Sequence, residues 1–392
     1  MSLLSPINFL RYGATNVAAP LLATAAGWIA YSRLAIDHKV DLPPALAAEQ
    51  RRFASVAGDL GYYVDHTASG RPLVLIHSVN AAASAYEMRP LFEHFRATRP
   101  VYAIDLPGFG TSDRRERDYS PTLYRDALVD FLTAVVGAPA DVIALSVSCE
   151  FAALAAQLRP EAFHSLAFLS PTGLSAEARG GESPRARRVH AAFDLSLWRQ
   201  PFYDLLVTRP SLHYFLKRSF AGEVDHGLRH YAFLTSHQPG APHAPLCFIA
   251  GRLFTPAIAE STYARLETPT LAIYDEDAHV SFERLPEVMG RNPKWKAIRI
   301  VPTRGLPHWE KLPETAAALE AFWAGLGAGA GAVDESVPED SNADPGEAAA
   351  QTPGEPVQED TSEEAAAEAA KESSEQPASA TREDDQTADD EG

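Results

Sequence analysis

The sequence predicts an α/β fold, a mainly parallel twisted sheet covered by helices on both faces. Three observations predict it. From about residue 58 onward, short runs rich in β-branched and aromatic residues alternate with helical stretches, as when each parallel strand is followed by a crossover helix. The chain has 392 residues, 46% of them hydrophobic, enough for a large buried core. The alternation is interrupted once, at residues 174–266, where no strand pattern is visible. That stretch is expected to form a helical cap, or lid, inserted between two strands.

Taken in order, residues 1–45 read as an N-terminal apolar helical segment. Its most apolar part, "VAAPLLATAAGWIAY" at 17–31, contains Pro20 and Gly27 and falls short of the roughly 20 residues that span a bilayer. A helix packed on the domain or lying on a membrane is expected. A transmembrane anchor and a cleaved signal, with Arg11 as its basic flank, stay open. Membrane contact, peripheral or anchored, would run through residues 8–35, and the expected location is cytoplasmic with that association.

The strand runs are "GYYVDH", "RPLVLIH", "RPVYAID", "ADVIAL", "SLAFLS", "PTLAIYD" and "KAIRIVP". Between them lie helix-start signals. Ser84 followed by Glu87 has the spacing of a capping box, and Pro121 follows Ser120 as a first helical residue should. Pro313 and Glu314 open a last helix, which the glycines of "GAGAGA" end. The core is therefore expected over residues 46–173 and 267–328.

The formal net charge is −18, but it does not belong to the core. Residues 331–392 carry 20 Asp and Glu against 2 Lys and Arg, leaving 32 of each sign in residues 1–330. Residues 329–392 have no aromatic residue and almost no large aliphatic one, so burial cannot offset the entropy of ordering them. They read as an acidic disordered tail. Cys149 and Cys247 are too few for a disulfide framework and sit among apolar residues, which suggests buried, reduced thiols. No Cys/His metal cluster, basic arm or dense Lys/Arg stripe is visible, so neither a metal site nor nucleic acid is expected. The cap carries 11 Lys and Arg against 7 Asp and Glu, interleaved with Trp198, Phe202, Tyr203, Tyr214, Phe215, Phe220 and Tyr231. That would suit an apolar substrate with an acid group, or simply a solvated face over core aromatics.

In an open parallel sheet, ligands bind beyond the carboxyl ends of the strands. "ADVIAL" ends at Ser146, "PTLAIYD" ends near Asp277, and "KAIRIVP" is followed by His308. This order of Ser, Asp and His, with "HSVN" after one strand and "DLPGFGTSD" after the next, resembles the α/β-hydrolase superfamily over roughly residues 58–326. The resemblance implies an α/β-hydrolase fold with the cap inserted after strand 6, and a serine nucleophile on a strained strand-to-helix turn of pattern G-x-S-x-G. Here the turn reads Ala144-Leu145-Ser146-Val147-Ser148, with both glycines replaced by small residues. Ser148 as nucleophile would put Glu150 where a small residue is required, so Ser146 is preferred.

A serine hydroxyl needs a base oriented by a carboxylate. The family's acid follows the strand after the cap, where Asp277 aligns best and Asp275 is the alternative. For the base, two alignments compete. Matching the Gly-His pair of many members would put Gly305 at the histidine position and break the triad. Matching a Gly-x-Pro-His form makes His308 the base, which is preferred because Trp309 and Glu310 then open the turn before the last helix. His77 is given a structural loop role. The resemblance assigns the oxyanion hole to the backbone amides of Val79 and Val147, with Ser78 standing where glycine is usual. Asp105, Gly108 and Gly110 shape a loop under the site.

The resemblance thus implies a cofactor-free serine hydrolase with a Ser146-His308-Asp277 triad, acting through an acyl-enzyme on an ester or related acyl bond of a small, largely apolar substrate. Lyase, carbon–carbon hydrolase or perhydrolase chemistry on the same fold, and a non-catalytic ligand- or partner-binding protein, remain alternatives. The oligomeric state is not readable.

Overall fold

The strands that carry the fold are short, apolar and mostly buried on both sides, as the central strands of a parallel sheet must be. In the computed structural model, residues 22–177, 181 and 183–330 are described. The acidic tail and residues 1–21 lie outside them, and with them the expected disorder and the first part of the apolar segment.

Helix α1 (residues 22–35) is followed by β1 (Glu49–Ser55), β2 (Gly58–Asp65), β3 (Leu73–Ile76), α2 (Arg89–Phe95), β4 (Val101–Ile104) and α3 (Pro121–Phe131). Then come β5 (Ala140–Leu145), α4 (Ser148–Leu158) and β6 (Phe163–Leu169). The chain continues through α5 (Pro184–Phe193), α6 (Arg199–Leu206), α7 (Arg209–Arg218), α8 (His226–Ser236), α9 (His243–Ile249) and α10 (Ile258–Ser261). It closes with β7 (Thr270–Tyr274), α11 (Leu285–Arg291), β8 (Trp295–Arg299), α12 (Pro307–Glu310) and α13 (Leu312–Ala330).

The eight strands form one sheet in the order β1-β2-β4-β3-β5-β6-β7-β8. β1 and β2 are antiparallel to each other, β2 is antiparallel to β4, and every other pairing is parallel. All seven expected runs are strands, and β1 is added at the edge. Its "EQRRFAS" has no buried face, which leaves no alternation to read.

Successive residues of β3 feed two cores. Val74 and Ile76 join Tyr124, Phe131 and Phe151 of α3 and α4, whereas Leu73 and Leu75 join Phe92 and Phe95 of α2 and Leu319 of α13. Helices therefore cover both faces, and the strand ends at Ser146, Ser170 and Asp275 emerge along one edge.

Among the described residues, six α-helices and a short 3₁₀ helix (Tyr263–Arg265) occupy the stretch between β6 and β7. They rest on the loops at the carboxyl ends of the strands. Tyr203 of α6 donates to Ala81 O at 2.6 Å, and Arg114 donates to Thr235 O of α8 at 2.8 Å. Helix α1 lies against α6, with Trp28 Nε1 donating to Pro201 O at 2.7 Å and Ser32 Oγ to Asp204 Oδ2 at 2.6 Å. Among the described residues, no helix is long and apolar enough to cross a membrane.

Candidate active site

β5 is fully buried and runs straight into α4, so the reversal of direction falls on one residue, Ser146. It holds φ 58°, in the left-handed region that a residue with a Cβ rarely adopts. Such a conformation costs of order 1–3 kcal/mol and persists only where its surroundings impose it. Here the Ser146 amide donates to Leu169 O of β6 at 2.9 Å, and its carbonyl accepts from the Cys149 amide at 3.1 Å. Ser146 is half-buried, and its hydroxyl makes no hydrogen bond within the described residues. Ser148 differs on both counts, being fully buried with its hydroxyl donating to His77 O at 2.6 Å.

The amides expected to form the oxyanion hole belong to two buried valines, Val79 and Val147. Neither N–H is used in a hydrogen bond within the described residues. Their neighbourhood is held rigidly. His77 accepts the Leu106 amide on Nε2 at 2.9 Å and donates from Nδ1 to Ser78 O. Burial holds this imidazole below its ordinary pKa. Asp105 is fully buried, accepts the Ala85 and Thr111 amides at 2.8 Å each, and fills the space that a Cβ at Gly110 would need.

Glu87 does not close the expected capping box, because Ser84 makes no side-chain cap. Its buried carboxylate accepts the Ser78 amide at 2.9 Å and Asn80 Nδ2 at 2.7 Å instead, bracing the "HSVN" loop. Asn80 accepts the Ala82 amide at 2.7 Å and so caps a turn.

After β7, the two candidate acids separate. Asp275 is buried and committed, pairing with Arg299 Nε at 2.7 Å and accepting the Thr303 amide at 2.8 Å. Asp277 is half-buried and accepts the His279 and Val280 amides on Oδ1 at 2.7 and 3.1 Å. Its other oxygen faces Gly305, where a Cβ would lie 2.8 Å from Asp277 Oδ2. Gly305 also takes φ 102°, which glycine alone adopts without strain.

His308 makes no hydrogen bond to Ser146 or Asp277, so the expected Ser146-His308-Asp277 relay is not hydrogen-bonded here. The side chain is fully buried, with Nε2 donating to Glu87 O at 2.8 Å and Nδ1 without a partner. Burial pushes its pKa down to about 4, against a smaller opposing effect of the Glu87 carbonyl. The cause is local geometry. The chain leaves Gly305 directly into the short helix α12, whose Pro307 and His308 form the buried face. Trp309 Nε1 shares the same Glu87 carbonyl at 2.7 Å. The residue placed against the acid is therefore Gly305, as in the alignment not preferred from sequence.

Sequence reasoning missed two features. Ser170, at the end of β6, holds φ 45° with its hydroxyl buried and unpartnered. Glu150 is buried within α4, its carboxyl accepting from the Thr172 hydroxyl and, at 2.6 Å, from the Thr255 amide. Burial pushes its pKa up to about 7. A lone carboxylate inside "CEFAALAAQ" was the available signal. Both cysteines are free and buried. Among the described residues, no group of three or more His, Cys, Asp or Glu could hold a metal ion.

The profile of the alpha/beta hydrolase family matches residues 73–322. Solved structures share the fold at low identity. A serine hydrolase involved in carbazole degradation is 17% identical, with a TM-score of 0.59 over 71% of this chain and 99% of its own. A membrane phospholipase A, described as a bacterial virulence factor, is 18% identical, with a TM-score of 0.57 over 83% and 98%. A thermophilic esterase from Thermogutta terrifontis is 18% identical, with a TM-score of 0.56 over 71% and 99%. No curated protein sequence matches the chain.

Proposed function

The chain belongs to the alpha/beta hydrolase family, and on that footing we propose that it acts on an ester or related acyl bond of a small, largely apolar compound, with Ser146 as nucleophile. The observation that carries this reading is the strained backbone of Ser146, φ 58°, at the end of a buried strand with its hydroxyl uncommitted. In this reading Ser146 Oγ bonds to the acyl carbon. The amides of Val79 and Val147 hold the negative charge on the carbonyl oxygen, the leaving group departs, and water releases the acid from the acyl-serine.

His308 has no part in the relay as it stands. A neutral imidazole with a pKa near 4, donating to a carbonyl, is a poor base for a serine hydroxyl. The Ser146 proton passes to solvent hydroxide instead, so the reaction is slow and speeds up with rising pH. Triad enzymes stripped of their relay keep about 10³–10⁴-fold acceleration over water from the oxyanion hole and binding, which sets the scale expected here.

Labelling with a fluorophosphonate probe tests this. Wild type should label slowly, faster at pH 9 than at pH 7, without a plateau around the histidine range. Ser146→Ala should not label, whereas Ser148→Ala and His308→Ala should label like wild type once corrected for folded protein by circular dichroism. Loss of labelling in a folded His308→Ala variant would return His308 to the role of base. A second reading, a ligand-binding protein without catalysis, is favoured by the glycine opposite Asp277. Wild type that does not label at any pH would establish that reading over the first.

A further inference from the structure

We propose that Glu150 is a pH-sensitive latch: while its carboxyl is protonated it ties both roots of the cap to the helix that follows Ser146, and it releases them when that carboxyl ionises. The inference does not depend on the chemistry at Ser146.

Three parts of the chain meet on this one side chain. Glu150 lies in the first turn of α4, shortly after Ser146, and is 1% exposed. Its Oε1 accepts the hydroxyl of Thr172, which follows β6 on the way into the cap. Its Oε2 accepts the amide of Thr255 at 2.6 Å, where the chain has left α9 and has yet to enter α10. Helices α5 to α9 are thus bracketed by two bonds to one carboxyl. Each root also carries a backbone joint. Gly173, next to Thr172, holds φ 81°, and Ala257, just after Thr255, holds φ 50°. An alanine stays in the left-handed region only where its surroundings impose it, so freeing the exit root relieves strain.

Among the described residues, no cation pairs with the Glu150 carboxyl. A cavity of about 20 Å³ abuts it between the two roots, lined also by Ser175, Phe254 and Ile258, which is room for about one water. Arg284, at the start of α11, is the one cation among the described residues that line it, and it is held by Glu260 of α10 and, at 3.3 Å, by Glu287. Glu177, at the same cavity, adds a second acid. The remaining titratable neighbours are Cys149 of α4 and Tyr263, whose hydroxyl donates to Thr172 O at 3.1 Å. Burial pushes both up, so neither brings a charge. Burial likewise pushes the Glu150 pKa up to about 7, against the lowering by its bonds to Thr172 and Thr255. A protonated carboxyl retains both bonds, its carbonyl oxygen accepting the Thr255 amide and its O–H meeting the Thr172 hydroxyl. An ionised one without a partner is costly to keep buried and gains by reaching water, which the closed roots deny it.

Hydrogen exchange of the full-length protein tests this at the peptide covering residues 251–257, with β5 as reference and each rate divided by that of the unfolded chain at the same pH. In wild type the protection of 251–257 should fall about ten-fold between pH 6 and pH 8, as expected of a carboxyl at about 7 when closed and 4.5 when open. At pH 8 the peptide should exchange well ahead of β5, because the root opens without the sheet. Glu150→Gln, whose side-chain amide can make both bonds and cannot ionise, should hold its protection at both pH values. Wild-type protection that does not change with pH overturns the proposal, as does an equal fall in a folded Glu150→Gln. A peptide that exchanges only at the rate of β5 also overturns it, since the root would then open only with the whole fold. The wild-type readings decide even if the variant does not fold, and none of them depends on labelling of Ser146.

Discussion

His308 and Glu150 are both buried ionisable groups, and burial moves them in opposite directions. The imidazole is pushed down to about 4, so the folded protein prefers it neutral. The stability that this gives is complete above the ordinary histidine value near 6.5 and is lost as pH falls toward 4. The Glu150 carboxyl is pushed up from 4.5 to about 7, so the folded protein prefers it protonated. Its contribution is complete below 4.5 and is lost as pH rises through 7. The two slopes oppose each other between about 4.5 and 6.5. Replacing Glu150 with Gln should remove one of them. Relative to wild type, Glu150→Gln should gain on the order of 3 kcal/mol between pH 5 and pH 8, read as a melting-temperature difference that grows with pH. A difference equal at both pH values would mean that Glu150 is ionised in the folded protein. Asp204 makes a different kind of buried site. It accepts from Ser32, Gln200 and His38, the last at 3.0 Å on both oxygens.

That cluster is what attaches α1 to the cap, and it gives the helix a measurable stability of its own. Asp204→Ala leaves the Ser32 hydroxyl and the Gln200 amide without their acceptor, a loss of about 1–3 kcal/mol confined to α1 and α6. Trypsin should then cut after Arg33 well before the sheet is attacked. Unchanged cleavage there would show that the Trp28 and Arg33 bonds hold the helix without Asp204. Such contacts, 172 residues apart in the chain, are the kind that no local pattern expresses. The elements that were legible are those whose environment is uniform. β3, β5 and β7 are apolar because both faces are covered, and Ser120 caps α3 by accepting the Leu123 amide as its spacing implied. β1 was not legible because none of its residues is buried and only Phe53 packs on the core. Glu87 has the spacing of a cap but answers to Ser78 and Asn80 across a turn. The same limit applies to the candidate site. The sequence located the ends of β5 and β7, after which Ser146 and Asp277 follow. The direction of His308 depends on a carbonyl 221 residues earlier and on a proline that starts a four-residue helix.

Residues 1–330 carry equal numbers of acidic and basic side chains, and the whole net charge of −18 resides in residues 331–392. Deleting those residues should leave the melting temperature and any esterase activity unchanged, since their composition offers no apolar surface to pack. Solubility near neutral pH should fall, because a protein of zero net charge loses the repulsion that keeps copies apart. A melting temperature several degrees lower in the truncated protein would show that the acidic stretch binds the folded part. The attachment of α1 to α6 has a mechanical meaning as well. Tension applied at the N-terminus by a tether reaches Trp28, Ser32 and Arg33, which bond to Pro201, Asp204 and the carbonyls of Ser196 and Leu197, before it reaches β1. The first load therefore falls on the cap, and pulling would loosen the roof of the molecule while its sheet remained intact.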